Sequence, residues 1–147
     1  MTGAWVVAAA VLLALGFGLY RRLLDGRLRS SSGRASGGLT PDRLGAEFGP
    51  RATFVQFSSE VCAPCRVTAR VLGEVSAATP GVAHVEIDAG QRLDLAGELG
   101  ITRTPTVLLL DSNGVVRNRI VGAPRKPDVL AALRSMDDGQ DRHDRIA

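Results

Sequence analysis

Two cysteines occur in the 147-residue chain, and they stand together as Cys62-Ala63-Pro64-Cys65. A bridge at this spacing closes almost no chain, so it restricts the unfolded state very little and makes a poor scaffold. Two thiols this close are better suited to exchange chemistry. They fall between an apolar, β-rich stretch and a stretch of helical periodicity, which puts Cys62 at a helix N-terminus. There the unpaired amide groups and the helix dipole stabilise a thiolate, the attacking form in disulfide exchange. Cys62 is therefore the expected nucleophile toward a substrate disulfide, and Cys65, one turn further in, the residue that resolves the mixed disulfide. Pro64 fits the first helical turn, where its missing N–H costs nothing. Zinc is a competing use for such a pair, but a structural site takes about four ligands, and only His84 and His143 remain to help. The expectation is no metal, and no cofactor beyond a redox-active Cys62–Cys65 disulfide; an inert buried pair is the remaining alternative.

The elements that must position this pair can be read in order. Thr40 is a good N-cap with Pro41 behind it, opening a short helix that ends by Gly49-Pro50. Ala52 to Ser58 reads as a buried strand. A helix from Ala63 to Ala78 carries Val67, Val71, Leu72 and Val75 at helical spacing and stops at Pro80-Gly81. Val82 to Ile87 is a second strand, parallel to the first by the βαβ rule. Gln91 to Leu99 is a helix, and Thr106 to Leu110 a strand. Asp111-Ser112-Asn113-Gly114 is a hairpin signal into Val115–Val121, and Pro127 starts the last helix. The fold class is α/β, a central mixed sheet flanked by helices. At the mouth of the Thr106 strand, Thr104-Pro105 is open to two readings: plain strand entry or a cis-proline.

The net charge of +3 is unevenly distributed. Residues 21–39 hold five arginines (Arg21, Arg22, Arg27, Arg29, Arg34) against Asp25, while the 40–135 segment is nearly balanced. A basic face with interleaved aromatics is missing, so no nucleic-acid partner is expected. Before the arginines, residues 2–20 are uncharged and mostly apolar, with Trp5 and Tyr20 near the ends. As a helix this run rises roughly 28 Å, about the thickness of a bilayer core. A cleaved signal peptide would want its positive charges before the apolar run; here they follow it. The expectation is one N-terminal transmembrane anchor helix (2–20), with lipid contacts over 2–24. A basic Ser/Gly-rich linker follows (21–39), then a globular domain (40–135) and a charged flexible tail (136–147). The arginines place the domain on the cytoplasmic side of a single-pass protein; the extracytoplasmic side is the alternative.

Phe54 to Arg66 resembles the active-site strand and turn of thioredoxins. Val85-Glu86-Ile87-Asp88, Gly100 to Thr106, Asn113-Gly114 and Val121-Gly122-Ala123 are similar to that family's later landmarks, in order and spacing. The resemblance spans about 40–135 and implies a thioredoxin-like fold and protein-disulfide oxidoreductase activity. It further implies that Pro105 is a cis-proline packed beside the cysteines. Val61, Ala63, Pro64, Thr104, Pro105 and Gly122 would then line a groove for an extended substrate peptide. Forty positions separate Cys65 from Pro105, the spacing of plain thioredoxins. The chain departs from the pattern at Val61 (usually tryptophan), Gln56 (a buried aspartate) and His84 (a nearby lysine). Its linker also occupies the place of the family's first strand. Gln56 and His84 are thus candidate tuning positions, and glutamine cannot accept the proton of the second cysteine, so another base or water must serve.

The functional expectation is reduction of protein disulfides near the membrane, with protein thiols and disulfides as substrates and an unidentified electron donor. The alternatives are an extracytoplasmic disulfide reductase or isomerase, and a non-catalytic membrane docking module.

Overall fold

Seven consecutive buried residues, Ala52–Ser58, fix the centre of the sheet. A strand buried on both faces and rich in β-branched and aromatic side chains needs neighbours on both edges and layers above and below. In the computed structural model, which describes residues 11–17, 28–29 and 38–144, this strand has all of them. It is β2, with β1 at Leu28–Arg29 and β3 at Val82–Asp88. β4 is Thr106–Asp111 and β5 is Val116–Val121. The sheet order is β1-β5-β4-β2-β3. β3 runs parallel to β2, whereas β4 is antiparallel to β2 and β5 to β4.

A parallel pair requires a crossover, and α2 (Ala63–Ala78) provides it between β2 and β3. Its buried residues Cys65, Thr68, Leu72 and Val75 recur every three or four positions, one stripe laid on the sheet. The helix α4 (Lys126–Asp144) packs on the same face. There Phe54, Val107, Leu109 and Ile120 meet Leu72, Val75, Val129, Ala132, Leu133 and Met136. The opposite face is covered by the short helices α1 (Pro41–Leu44) and α3 (Leu93–Glu98). Leu39, Leu44, Leu95 and Leu99 cover Val55, Phe57, Leu108 and Leu110 on that side. Truncating a fully buried leucine in either layer costs about 2–5 kcal/mol. The β4–β5 turn is held by the buried Asp111 carboxylate, which accepts the N–H groups of Asn113 and Val115. Gly114 has φ +77°, and a Cβ there would meet the Leu39 carbonyl at 1.9 Å, so only glycine fits.

Several sequence expectations need correction. The last helix does not give way to a flexible tail at 136; it continues to Asp144. Met136 extends the buried stripe of Val129, Ala132 and Leu133 by one more turn, and Asp137 forms an ion pair with Arg51. At the other boundary Leu39, assigned to the linker, is a core residue whose N–H bonds the Gly114 carbonyl. Within that linker Leu28–Arg29 pairs antiparallel with Ile120 and Arg119, on the sheet edge opposite β3. The remaining linker positions before 38 lie outside the described residues. Thr40 occupies the N-cap position of α1 but makes no side-chain cap bond, and the helix closes at Gly45 in the left-handed region.

Of the expected span at 2–20, only residues 11–17 are described; they are helical. Val11, Leu12, Leu13, Leu15 and Phe17 are exposed. Among the described residues no helix is long and apolar enough to cross a membrane.

Candidate functional site

β2 ends at Ser58, and after a short turn the chain re-enters helix at Ala63. Cys62 is the N-cap of α2, in extended conformation, and its Sγ accepts the Cys65 N–H at 3.2 Å. Cys62 and Cys65 are joined by a disulfide with Cα atoms 5.2 Å apart. Cys62 is 8% exposed and Cys65 2%, so the first cysteine is nearer the surface, as a nucleophile with a buried resolver requires. Pro64 occupies the first turn of the helix, and its carbonyl accepts the Thr68 hydroxyl at 3.0 Å. Val61 is almost fully exposed at 97%, and Ala63 and Pro64 are also exposed.

The Thr104–Pro105 bond is cis, and Pro105 is buried. The Gly122 N–H donates to the Pro105 carbonyl at 2.8 Å, which joins two of the expected groove residues across the β4–β5 end. Gly122 itself has φ +90°, a conformation glycine adopts freely. Thr104 Oγ1 lies 3.1 Å from the Ser59 hydroxyl. That contact ties the proline loop to the segment leading into Cys62. Arg119 of β5 donates to the Leu99 and Gly100 carbonyls at the end of α3. Burial holds its guanidinium below the usual arginine range.

Beneath Cys65 lies a polar cluster. Gln56 is fully buried on the α2 face of β2, opposite Glu86 in the parallel register. Its Nε2 donates to the Cys65 carbonyl at 2.9 Å and to the Ser58 hydroxyl at 2.9 Å. Glu86 Oε1 lies 3.3 Å from the same nitrogen. Gln56 Oε1 faces His84 Nε2 at 3.2 Å. Since a carbonyl and a carboxylate only accept, the amide nitrogen must point toward them, and His84 must donate from Nε2 to Oε1. Burial pushes the His84 imidazole below its ordinary 6.5, with the nearby Glu86 opposing the shift. Among the described residues no buried side-chain nitrogen or oxygen lacks a hydrogen-bond partner.

The structure thus brings both tuning candidates, Gln56 and His84, into one cluster with Cys65. Ser58 and Glu86 belong to it too, and reading the sequence alone missed both. The signal was present: alternation along β3 puts His84 and Glu86 on one face, and the parallel register sets Glu86 beside Gln56. Of the zinc alternative's other histidine, His143, the side chain lies outside the described ones.

A sequence model of the thioredoxin family matches residues 49–135. The chain belongs to the thioredoxin family. It is similar to Thioredoxin H4-1 of Oryza sativa subsp. japonica, 32% identical over 88 residues, covering 60% of this chain and 66% of that protein. Thioredoxin H4-2 of the same plant is 31% identical, with 61% of its length covered. The chain therefore spans just under two thirds of the curated relatives it matches. Among solved structures, the thioredoxin NaTrxh from Nicotiana alata superposes with a TM-score of 0.53 at 31% identity. The superposition covers 58% of this chain and 73% of that one.

Proposed function

We propose that this protein is a thiol–disulfide oxidoreductase that reduces protein disulfides at a membrane. The observation that carries the reading is the Cys62–Cys65 disulfide seated at the N-terminus of α2, with the less buried cysteine at the N-cap. Reduced, Cys62 attacks a substrate disulfide; one substrate sulfur leaves as thiolate and the other is held as a mixed disulfide. Cys65 then attacks Cys62 Sγ, the second substrate thiol departs, and the Cys62–Cys65 disulfide re-forms. An electron donor of the dithiol class must return it to the dithiol. Val61, Ala63, Pro64, Thr104, Pro105 and Gly122 form the substrate groove in this reading. The Gly122–Pro105 and Ser59–Thr104 contacts are consistent with a single rigid groove. Insulin-disulfide reduction by the reduced full chain tests it. Cys62→Ser is expected to abolish turnover, and a variant as active as wild type ends the catalytic reading.

The membrane context belongs to the same proposal. A helical stretch whose large apolar side chains all face outward fits a lipid environment better than water. The arginines that follow favour a cytoplasmic domain. A topology reporter fused after Ala147 checks the side. Reporter activity confined to an exported fusion would put the domain on the opposite face and make the extracytoplasmic reductase the correct version.

A further inference from the structure

β3 ends the sheet. In the order β1-β5-β4-β2-β3 it has β2 on one side, and among the described residues no strand pairs with its other side. The two-residue β1 sits at the far edge, on β5. An edge strand presents a row of backbone N–H and C=O groups to any other chain, and proteins blunt such edges with short strands, bulges, lysine or proline. β3 has none of these devices. It runs for seven residues, Val82–Asp88, in unbroken register with β2, and holds neither lysine nor proline. Ala83, His84 and Val85 are half-buried and Glu86 is exposed, so solvent reaches this edge.

The helix above carries a second, independent feature. α2 lies over β3 and β2, and α4 over β4 and β5. Val71 packs against the core that α2 shares with α4, and Glu74 reaches Lys126 at the start of α4. These two mark the flank of α2 turned toward α4. Ala69 and Gly73 stand two residues to either side of Val71, hence about 160° round the helix from it. They lie on the opposite flank, which overhangs the outer edge of β3. A Cβ at Gly73 would meet nothing within 4 Å, so packing inside this chain has no need of a glycine there. A mid-helix glycine costs about 1 kcal/mol against alanine. Small side chains on a helix flank are what the close approach of a second helix requires.

We propose that β3 pairs with β3 of a second copy of this chain, antiparallel about a two-fold axis at Val85, to make one continuous sheet. Val85 is the middle of Val82–Asp88, so this register pairs the whole strand with itself. It sets His84 opposite the second copy's Glu86 and Ala83 opposite its Ile87, a complementary polar pair and an apolar pair, each occurring twice. Moving the axis to Glu86 would put two carboxylates face to face, which is destabilising. Moving it to His84 would bring Pro80, which has no N–H to give, opposite Asp88. The helices agree with the central register. Strands stand about 4.8 Å apart, and each α2 covers two of them, so the two α2 axes fall about 10 Å apart, the separation of packed helices. The middle of Ala63–Ala78 lies between Arg70 and Val71, so antiparallel neighbours bring Ala69 of one copy to Gly73 of the other. The two disulfides then lie at opposite ends of the joint sheet, away from the shared edge. The pairing goes beyond the proposed oxidoreductase reading and does not depend on it.

Two measurements on the full chain in nonionic detergent test this. Sedimentation velocity with the detergent density-matched reads the protein mass at about 100 µM, enough to populate a micromolar dimer. Hydrogen exchange reads the backbone amides of Val82–Asp88 at that concentration and after dilution. The wild type is expected to sediment as a dimer, with the outward-facing amides of β3 exchanging at least about tenfold faster once diluted. Gly73→Arg finds open space in the single chain and replaces glycine by a better helix former, so the fold should survive. Its longer side chain blocks the approach of the second α2, and the variant should sediment as a monomer with β3 exchange at the diluted level. A monomeric wild type overturns the proposal. So does a dimer that Gly73→Arg leaves intact, because the contact then lies elsewhere, as on the exposed apolar residues 11–17. Protection of the β3 amides that persists on dilution also overturns it, since another segment of the same chain would then cover the edge.

Discussion

Replacing Gln56 by methionine keeps the volume of the side chain nearly constant and deletes its hydrogen bonds. The loss can be worked from the contacts. Four polar neighbours surround the amide: the Cys65 carbonyl and Ser58 hydroxyl at 2.9 Å, His84 at 3.2 Å and Glu86 at 3.3 Å. Glu86 is exposed and keeps Ser58 as a partner, so it loses little. His84 is half-buried, and water reaches it in part. The Cys65 carbonyl stays in the hydrogen-bond ladder of α2, so it loses its second donor and not its only one. The two bonds at 2.9 Å, at about 0.5–1.5 kcal/mol each, together contribute about 1–3 kcal/mol, and the weakened His84 contact adds up to about 1 kcal/mol. The apolar replacement returns part of this by favourable burial. A net destabilisation of about 2 kcal/mol is expected in Gln56→Met, against less than about 1.5 kcal/mol for a volume-conserving swap with no polar consequence. Equilibrium urea unfolding of the oxidised protein, with equal slopes for both proteins, measures the difference. A variant as stable as wild type would mean that the amide network holds no fold energy.

Ending the chain at Ser135 removes Met136, 6% exposed in the α4 layer, together with the exposed Arg51–Asp137 pair. The apolar loss dominates because an exposed ion pair contributes little, so urea unfolding should register a loss of about 2–4 kcal/mol; no change would restore the tail as dispensable. His84 sets a pH dependence with a definite sign: its pKa when folded lies below 6.5 because burial disfavours the charged ring. The unfolded chain therefore takes up the proton first as pH falls, so this stability is fully present above about 6.5 and lost below it. His84→Asn should flatten stability against pH between 7 and 5, and a parallel curve for the variant would refute the assignment.

What could be read from the sequence was what lies close together along the chain. Cys62 and Cys65, Pro64 in the first turn of α2, and the bounds of β2 and α2 all follow from spacing, propensity and hydrophobic period over short windows. The tail was misread for a physical reason. Composition from 136 onward is charged, but Met136 falls in phase with Val129, Ala132 and Leu133, and the period outweighs the composition. Leu39 was misplaced because a single leucine after a Ser/Gly run shows no period; its burial comes from the hairpin 75 positions later, through Gly114. The family resemblance supplied the cis form of Pro105, which local residues left open between two readings.

Glu86 was invisible for a deeper reason. Reading Gln56 by itself showed only a missing carboxylate, a deletion in the chemistry. The sheet register converts the deletion into a displacement, because the residue paired with Gln56 is a glutamate. A carboxylate at position 56 would sit at zero exposure, where charge is costly. Moving the charge one strand outward leaves a neutral amide in the core, with its donors satisfied by Cys65 and Ser58 and its acceptor by His84. Such an amide can hold its neighbours in place at every pH, which a titrating group cannot. Gln56→Met should therefore lower stability more than Glu86→Gln, because the exposed carboxylate can be neutralised while the amide keeps its bonds to Cys65 and Ser58. Equal losses for the two variants in urea unfolding would mean that amide and carboxylate act as one unit, and the argument from the register would be wrong.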